Sequence, residues 1–125
     1  MPIHMEIFHP DRIVVGVARG EITLAEFGGF ARGLAEAGVL HYRKIFDVTA
    51  AKSSTVGTEE LLAADQQLRV LTRKGPRGPL AVVTDREQGE LAQAFKVLAA
   101  DDRPVEIFLS IHEARRWLAQ FPVTV

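Results

Sequence analysis

Apolar residues recur along the chain with two alternating periods, and the switches between them mark out the elements. Ile3 to Phe8 alternates and is rich in β formers. His9-Pro10-Asp11 is a turn signal, because proline presets φ and Asp bonds its own backbone. Arg12 to Ala18 reads Arg-Ile-Val-Val-Gly-Val-Ala, a second strand that the short link makes antiparallel to the first. From Thr23 the period changes. Leu24, Phe27, Ala31 and Leu34 follow at helical spacing, with Phe30 beside them. Thr23 and Glu26 form a capping box worth about 1 kcal/mol, and Gly38 supplies a stop. This helix carries Gly28, Gly29 and Gly33, each costing up to ~1 kcal/mol against alanine. That cost predicts a glycine face in close contact with backbone, of the sheet or of a partner.

Tyr42 to Val48 reads as the next strand, running out around Asp47. A loop rich in hydroxyls leads to Thr58, which caps a helix extending to about Arg73 with Leu61, Ala64, Leu68 and Leu71 inward. Glu59 and Glu60 at its start and Arg69, Arg73 and Lys74 at its end match the helix dipole. Gly75-Pro-Arg-Gly-Pro79 breaks the chain. Leu80 to Thr84 is a short continuous apolar strand of the kind buried in parallel sheets. Asp85 to Gln88 repeats the capping spacing before a helix lined by Leu91, Phe95 and Leu98, which Arg103-Pro104 ends. Val105 to Leu109 is the last strand. Ser110 and Glu113 then cap a helix whose face is Ile111, Ala114, Leu118 and Phe121, with Trp117 adjacent.

The order is β-β-α-β-α-β-α-β-α. It predicts an α/β fold: a single five-stranded, mostly parallel sheet with an antiparallel N-terminal edge strand and about four helices, all in one domain over 1–125. Fifteen basic against sixteen acidic residues leave a net charge of −1, which argues against a broad nucleic-acid footprint. The absence of cysteine removes disulfides, thiolate metal sites and thiol nucleophiles. Met1-Pro-Ile-His-Met-Glu has no basic region followed by an apolar core, so no signal peptide is expected, and no apolar run approaches the ~18–20 residues of a membrane span. The expectation is a cytoplasmic protein.

Candidate chemistry concentrates in residues 45–61, where a central strand ends and a helix begins, the usual ligand position in open α/β sheets. Ser53, Ser54, Thr55 and Thr58 could serve as phosphoacceptor or anion seat, with Lys52 beside them to hold a phosphate. The plainer role for the first three is loop formation, and for Thr58 it is capping. Asp47 suits a general base, but no acid, histidine or nucleophile stands at a recognisable spacing to it; bonding the following loop is the simpler role. Arg69, Arg73, Lys74 and Arg77 form a basic patch that either complements the dipole or docks an acidic partner or a phospholipid headgroup. His4, His9, His41 and His112 are scattered without metal-ligand spacing, so no metal is expected. The helix glycines lack the Gly-x-Gly-x-x-Gly spacing of a phosphate loop.

Three stretches resemble the STAS domain of bacterial anti-sigma-factor antagonists, more particularly its SpoIIAA-like branch. They are Phe46-Asp47-Val48-Thr49 with its loop and helix, Pro79-Leu-Ala-Val-Val leading to Ala94-Phe95, and Val105-Glu-Ile-Phe-Leu-Ser-Ile-His-Glu-Ala-Arg-Arg-Trp-Leu118. The resemblance implies a small regulatory or scaffolding module, non-enzymatic and without cofactor, that binds a protein partner. In the antagonists a serine opening the helix after the third strand is phosphorylated, within Asp-Ser-Ser-Gly, and the same surface docks the kinase. Here the loop reads Ala50-Ala-Lys-Ser53-Ser54-Thr55-Val-Gly57-Thr58. The candidate partner or ligand surface comprises Asp47, Lys52, Glu60, Arg69 and Arg73. The SpoIIAA-like fold is also similar to lipid-carrying Sec14 domains, which leaves a small apolar ligand open, as is a homodimer.

Overall fold

The structure, a computed structural model, describes residues 3–21, 24–52, 78–85 and 104–121. Strands β1 (Ile3–Phe8), β2 (Ile13–Glu21), β3 (Arg43–Lys52), β4 (Leu80–Val83) and β5 (Val105–Phe108) form one sheet in the order β1-β2-β3-β4-β5. β1 is antiparallel to β2; every other neighbouring pair is parallel. Two helices are described, α1 (Leu24–Glu36) and α2 (Ile111–Leu118). The helices expected after β3 and β4 lie outside the described residues, as does the Thr23 cap.

Alternation along the strands splits the core between two faces. On one, Ile3, Ala18, Phe46, Val48, Leu80, Val82 and Val105 pack together, and α1 lays Phe30 on them, stacked on Phe46 at 5.4 Å. Val14, Leu34, Val39 and Tyr42 extend this face toward the amino end of the parallel strands. On the other face Ile45, Ala81 and Val83 receive Ala114 and Leu118 of α2. Ser110 caps α2 as expected, its Oγ accepting from the Glu113 amide at 3.2 Å. Gly38 ends α1 with φ +72°, a conformation that favours glycine.

Several expectations need correction. β2 begins at Ile13, because Arg12 sits in the turn at φ 55° with its amide bonded to the His9 carbonyl. β2 then runs on to Glu21. β3 passes through Asp47 and continues to Lys52. β2 and β3 support each other over this extension, where neither sequence alternates: Arg19 pairs with Ala50, Gly20 with Ala51 and Glu21 with Lys52. Leu109 falls outside β5 and is 62% exposed, and Ile111 lies at the solvent edge of its stripe.

Where it is described, the glycine face of α1 does not make the close contact with the sheet that was one of the two expectations. A Cβ on Gly29 would meet nothing within 4 Å, and one on Gly33 only the end of Met5 at 4.0 Å; the surroundings of Gly28 lie outside the description. Close approach occurs instead at Gly16 of β2, where a Cβ would come within 2.8 Å of the Phe30 ring, and at buried Gly78, where it would strike the carbonyl oxygens of His41 and Tyr42.

Candidate functional site

Asp47 is the hinge of the carboxyl end of the sheet. Its backbone pairs with Val83, the last residue of β4, so β4 stops where Asp47 stands while β2 and β3 continue as a two-stranded ribbon. At this step Val17 pairs with Asp47 and Arg19 with Ala50, so β3 carries one residue more than β2, a bulge that bends and twists the strand. Asp47 locks it: one carboxylate oxygen accepts from the Thr49 amide at 3.0 Å and the Thr49 hydroxyl at 2.7 Å. This is the loop-bonding role expected of Asp47, made inside the strand rather than after it. Thr49 and Ala50 are exposed, and the ribbon delivers the backbone of Lys52 directly into the hydroxyl-rich segment.

Asp47 and the backbone of Lys52 are therefore placed together at this end. Ser53, Ser54, Thr55, Thr58, Glu60, Arg69 and Arg73 lie outside the described residues. The register adds an acid that sequence spacing did not connect to Asp47: Asp85 lies two residues beyond Val83, its β4 partner, at the same end of the sheet. Around the end of β5, exposed Leu109 and Ile111 flank Ser110, which is held in its capping role. Among the described residues, no group of three or more His, Asp or Glu side chains could hold a metal ion.

Two of the four histidines, His9 and His41, meet around one ring. At the amino end, His9 Nδ1 lies 2.8 Å from the Tyr42 hydroxyl, His41 meets the Tyr42 ring edge-on at 4.9 Å, and Arg12 sits over the same ring at 5.7 Å. Tyr42 thereby ties the β1–β2 turn to the segment entering β3. The signal available in sequence was weak: the only tyrosine of the chain follows His41 directly. Lys44, 4% exposed, donates to the carbonyls of Tyr42 (2.9 Å) and Leu40, an arrangement that satisfies a buried ammonium group locally.

No family model matches the chain, and no curated protein matches it. Solved structures do. An uncharacterized protein of the DUF3478 family from Shewanella loihica PV-4, with a SpoIIAA-like fold, aligns at 19% identity and TM-score 0.62, over 93% of this chain and 91% of that one. An anti-sigma factor antagonist from Mycobacterium paratuberculosis aligns at 15% identity and TM-score 0.58, over 94% and 92%. The fold is therefore that of a SpoIIAA-like, STAS-type domain, as the sequence resemblance implied. Among the described residues no helix is long and apolar enough to cross a membrane.

Proposed function

We propose that this chain is a non-enzymatic, cytoplasmic regulatory module that docks a protein partner at the carboxyl end of its sheet, through the segment and helix that follow β3. The observation that carries this reading is the β2–β3 ribbon. It projects past β4, is pinned by Asp47 and Thr49, and leads into Lys52, Ser53, Ser54 and Thr55. Similarity in fold to an anti-sigma factor antagonist supports a protein as the partner. Asp47, Lys52, Glu60, Arg69 and Arg73 form the surface in this reading. Ser53, Ser54, Thr55 and Thr58 form its phosphoacceptor or anion seat, where an added phosphate would gain from a helix N-terminus. No cofactor or metal is required.

The test is quantitative affinity capture with the tagged chain, comparing wild type, Ser54→Asp, Glu60→Lys and, as a control on α2, Glu113→Lys. A partner retained by wild type and by the control but lost by either of the first two variants supports the reading. Equal retention by all four counts against it. The alternative, a small-ligand or lipid carrier of Sec14-like fold, rests on the apolar helices and the glycine-bearing α1, and a small molecule retained in native mass spectrometry after gentle purification would favour it.

A further inference from the structure

The two edges of the sheet differ in how they meet solvent. An edge strand is a template for pairing, usually blunted by shortness, lysine, proline or a bulge. β5 is blunted: Val105–Phe108 is short, Pro104 precedes it, and Glu106 lies within it. β1 is not. It pairs with β2 over all of Ile3–Phe8 without a register shift, contains neither lysine nor proline, and has Pro2 and Pro10 outside its span. Ile3, Met5 and Ile7 alternate with exposed His4, Glu6 and Phe8.

The pattern on this edge is complementary to itself. A two-fold axis perpendicular to the sheet keeps each face on its own side, so it sets opposite one another only residues pointing the same way. With the axis on Met5, Ile3 lies opposite the partner's Ile7, Met5 opposite itself, and His4 opposite the partner's Glu6, twice by symmetry. With the axis on Glu6, two carboxylates face each other and His4 meets Phe8. With it on His4, the pairing shrinks to the start of the strand. Charge and length select the Met5 register. His4 and Glu6 already attract each other within one chain at 3.3 Å, with side chains 70% and 58% exposed. In the pair, two imidazoles and two carboxylates would alternate around a square.

We propose that β1 docks antiparallel against β1 of a second copy, centred on Met5, to form a continuous sheet. This dimer leaves the carboxyl-end surface of each copy open to its partner protein.

Sedimentation equilibrium on the full chain tests it. Wild type is expected to dimerise. Glu6→Lys places lysine opposite His4, and His4→Glu places glutamate opposite Glu6. His4→Glu sets two carboxylates against each other twice per interface, and Glu6→Lys removes the carboxylate that faces His4 twice per interface; each weakens self-association roughly tenfold or more. Both sites are exposed, so circular dichroism should show an unchanged fold. An equimolar mixture of the two variants is expected to regain wild-type association, because the new lysine then faces the new glutamate and the remaining His4 faces the remaining Glu6. A monomeric wild type, a dimer neither variant weakens, or a mixture no tighter than the variants alone overturns the proposal.

Discussion

At the amino end of the parallel strands, side chains and backbone close on one another. Arg43 donates to the Asp11 carbonyl at 2.6 Å and the Leu118 carbonyl at 3.3 Å, joining the β1–β2 turn, β3 and the end of α2. Tyr42 gathers His9, His41 and Arg12, and Gly78 presses its backbone against residues 40–42, its amide bonded to the Leu40 carbonyl at 2.8 Å. At the carboxyl end β4 stops, the β2–β3 ribbon runs on, and Leu109, Ile111, Thr49 and Ala50 face solvent. Two leucines of the same C-terminal segment mark the contrast: Leu118 is fully buried and Leu109 is 62% exposed. One end is tied together by buried rings and backbone bonds, and the other leaves side chains exposed. In an open α/β sheet that is the end where binding residues can vary without dismantling the core.

Substitutions at the two ends should therefore differ most in stability. Leu118→Ala is expected to cost about 2–5 kcal/mol, because it opens a cavity between α2 and the sheet; the denaturant midpoint reads it. Gly78→Ala follows at roughly 1–3 kcal/mol, since its Cβ would overlap backbone carbonyls that cannot swing aside. Tyr42→Phe removes the hydroxyl shared with His9 and should lower stability by about 0.5–1.5 kcal/mol. At the other end Asp47→Ala is expected to cost about 1 kcal/mol or less while abolishing partner capture, because the two bonds it loses lie on the exposed ribbon. Leu109→Gln should move stability by less than ~0.5 kcal/mol. If Leu109→Gln proved as damaging as Leu118→Ala, the contrast between the ends would collapse. If Asp47→Ala destabilised the fold as Gly78→Ala does, Asp47 would belong to the framework rather than to the recognition surface.

Much of the fold was legible because its signals are local. The alternation in Ile3–Phe8, the apolar run Leu80–Val83 and the Ser110 cap each specify an element from a few neighbouring residues. What stayed hidden depends on pairing between distant segments. Arg19-Gly-Glu21 and Thr49-Ala-Ala-Lys52 carry no strand pattern, and each is held extended by the other. The glycines that matter for contact, Gly16 and Gly78, looked less conspicuous than the cluster in α1, because close approach is decided by what packs opposite. At the candidate site, a local bonding role for Asp47 was legible, though its partner Thr49 lies inside β3 rather than in the loop expected after it. The nearness of Asp85 to the end of β3 was not, since it depends on the β3–β4 register.

The aromatic cluster on α2 has a practical consequence. Trp117 is the only tryptophan of the chain, and it lies between Phe108 at 5.7 Å and Phe121 at 4.8 Å. Its indole thus spans the joint between the last strand and the last helix, half-buried beside the Ala81–Val83 core. Emission from this single fluorophore should shift to longer wavelength when α2 peels away, whether or not the rest of the sheet has opened. Read alongside far-ultraviolet ellipticity, it makes the protein its own reporter of whether helix release and global melting occur in one transition or two.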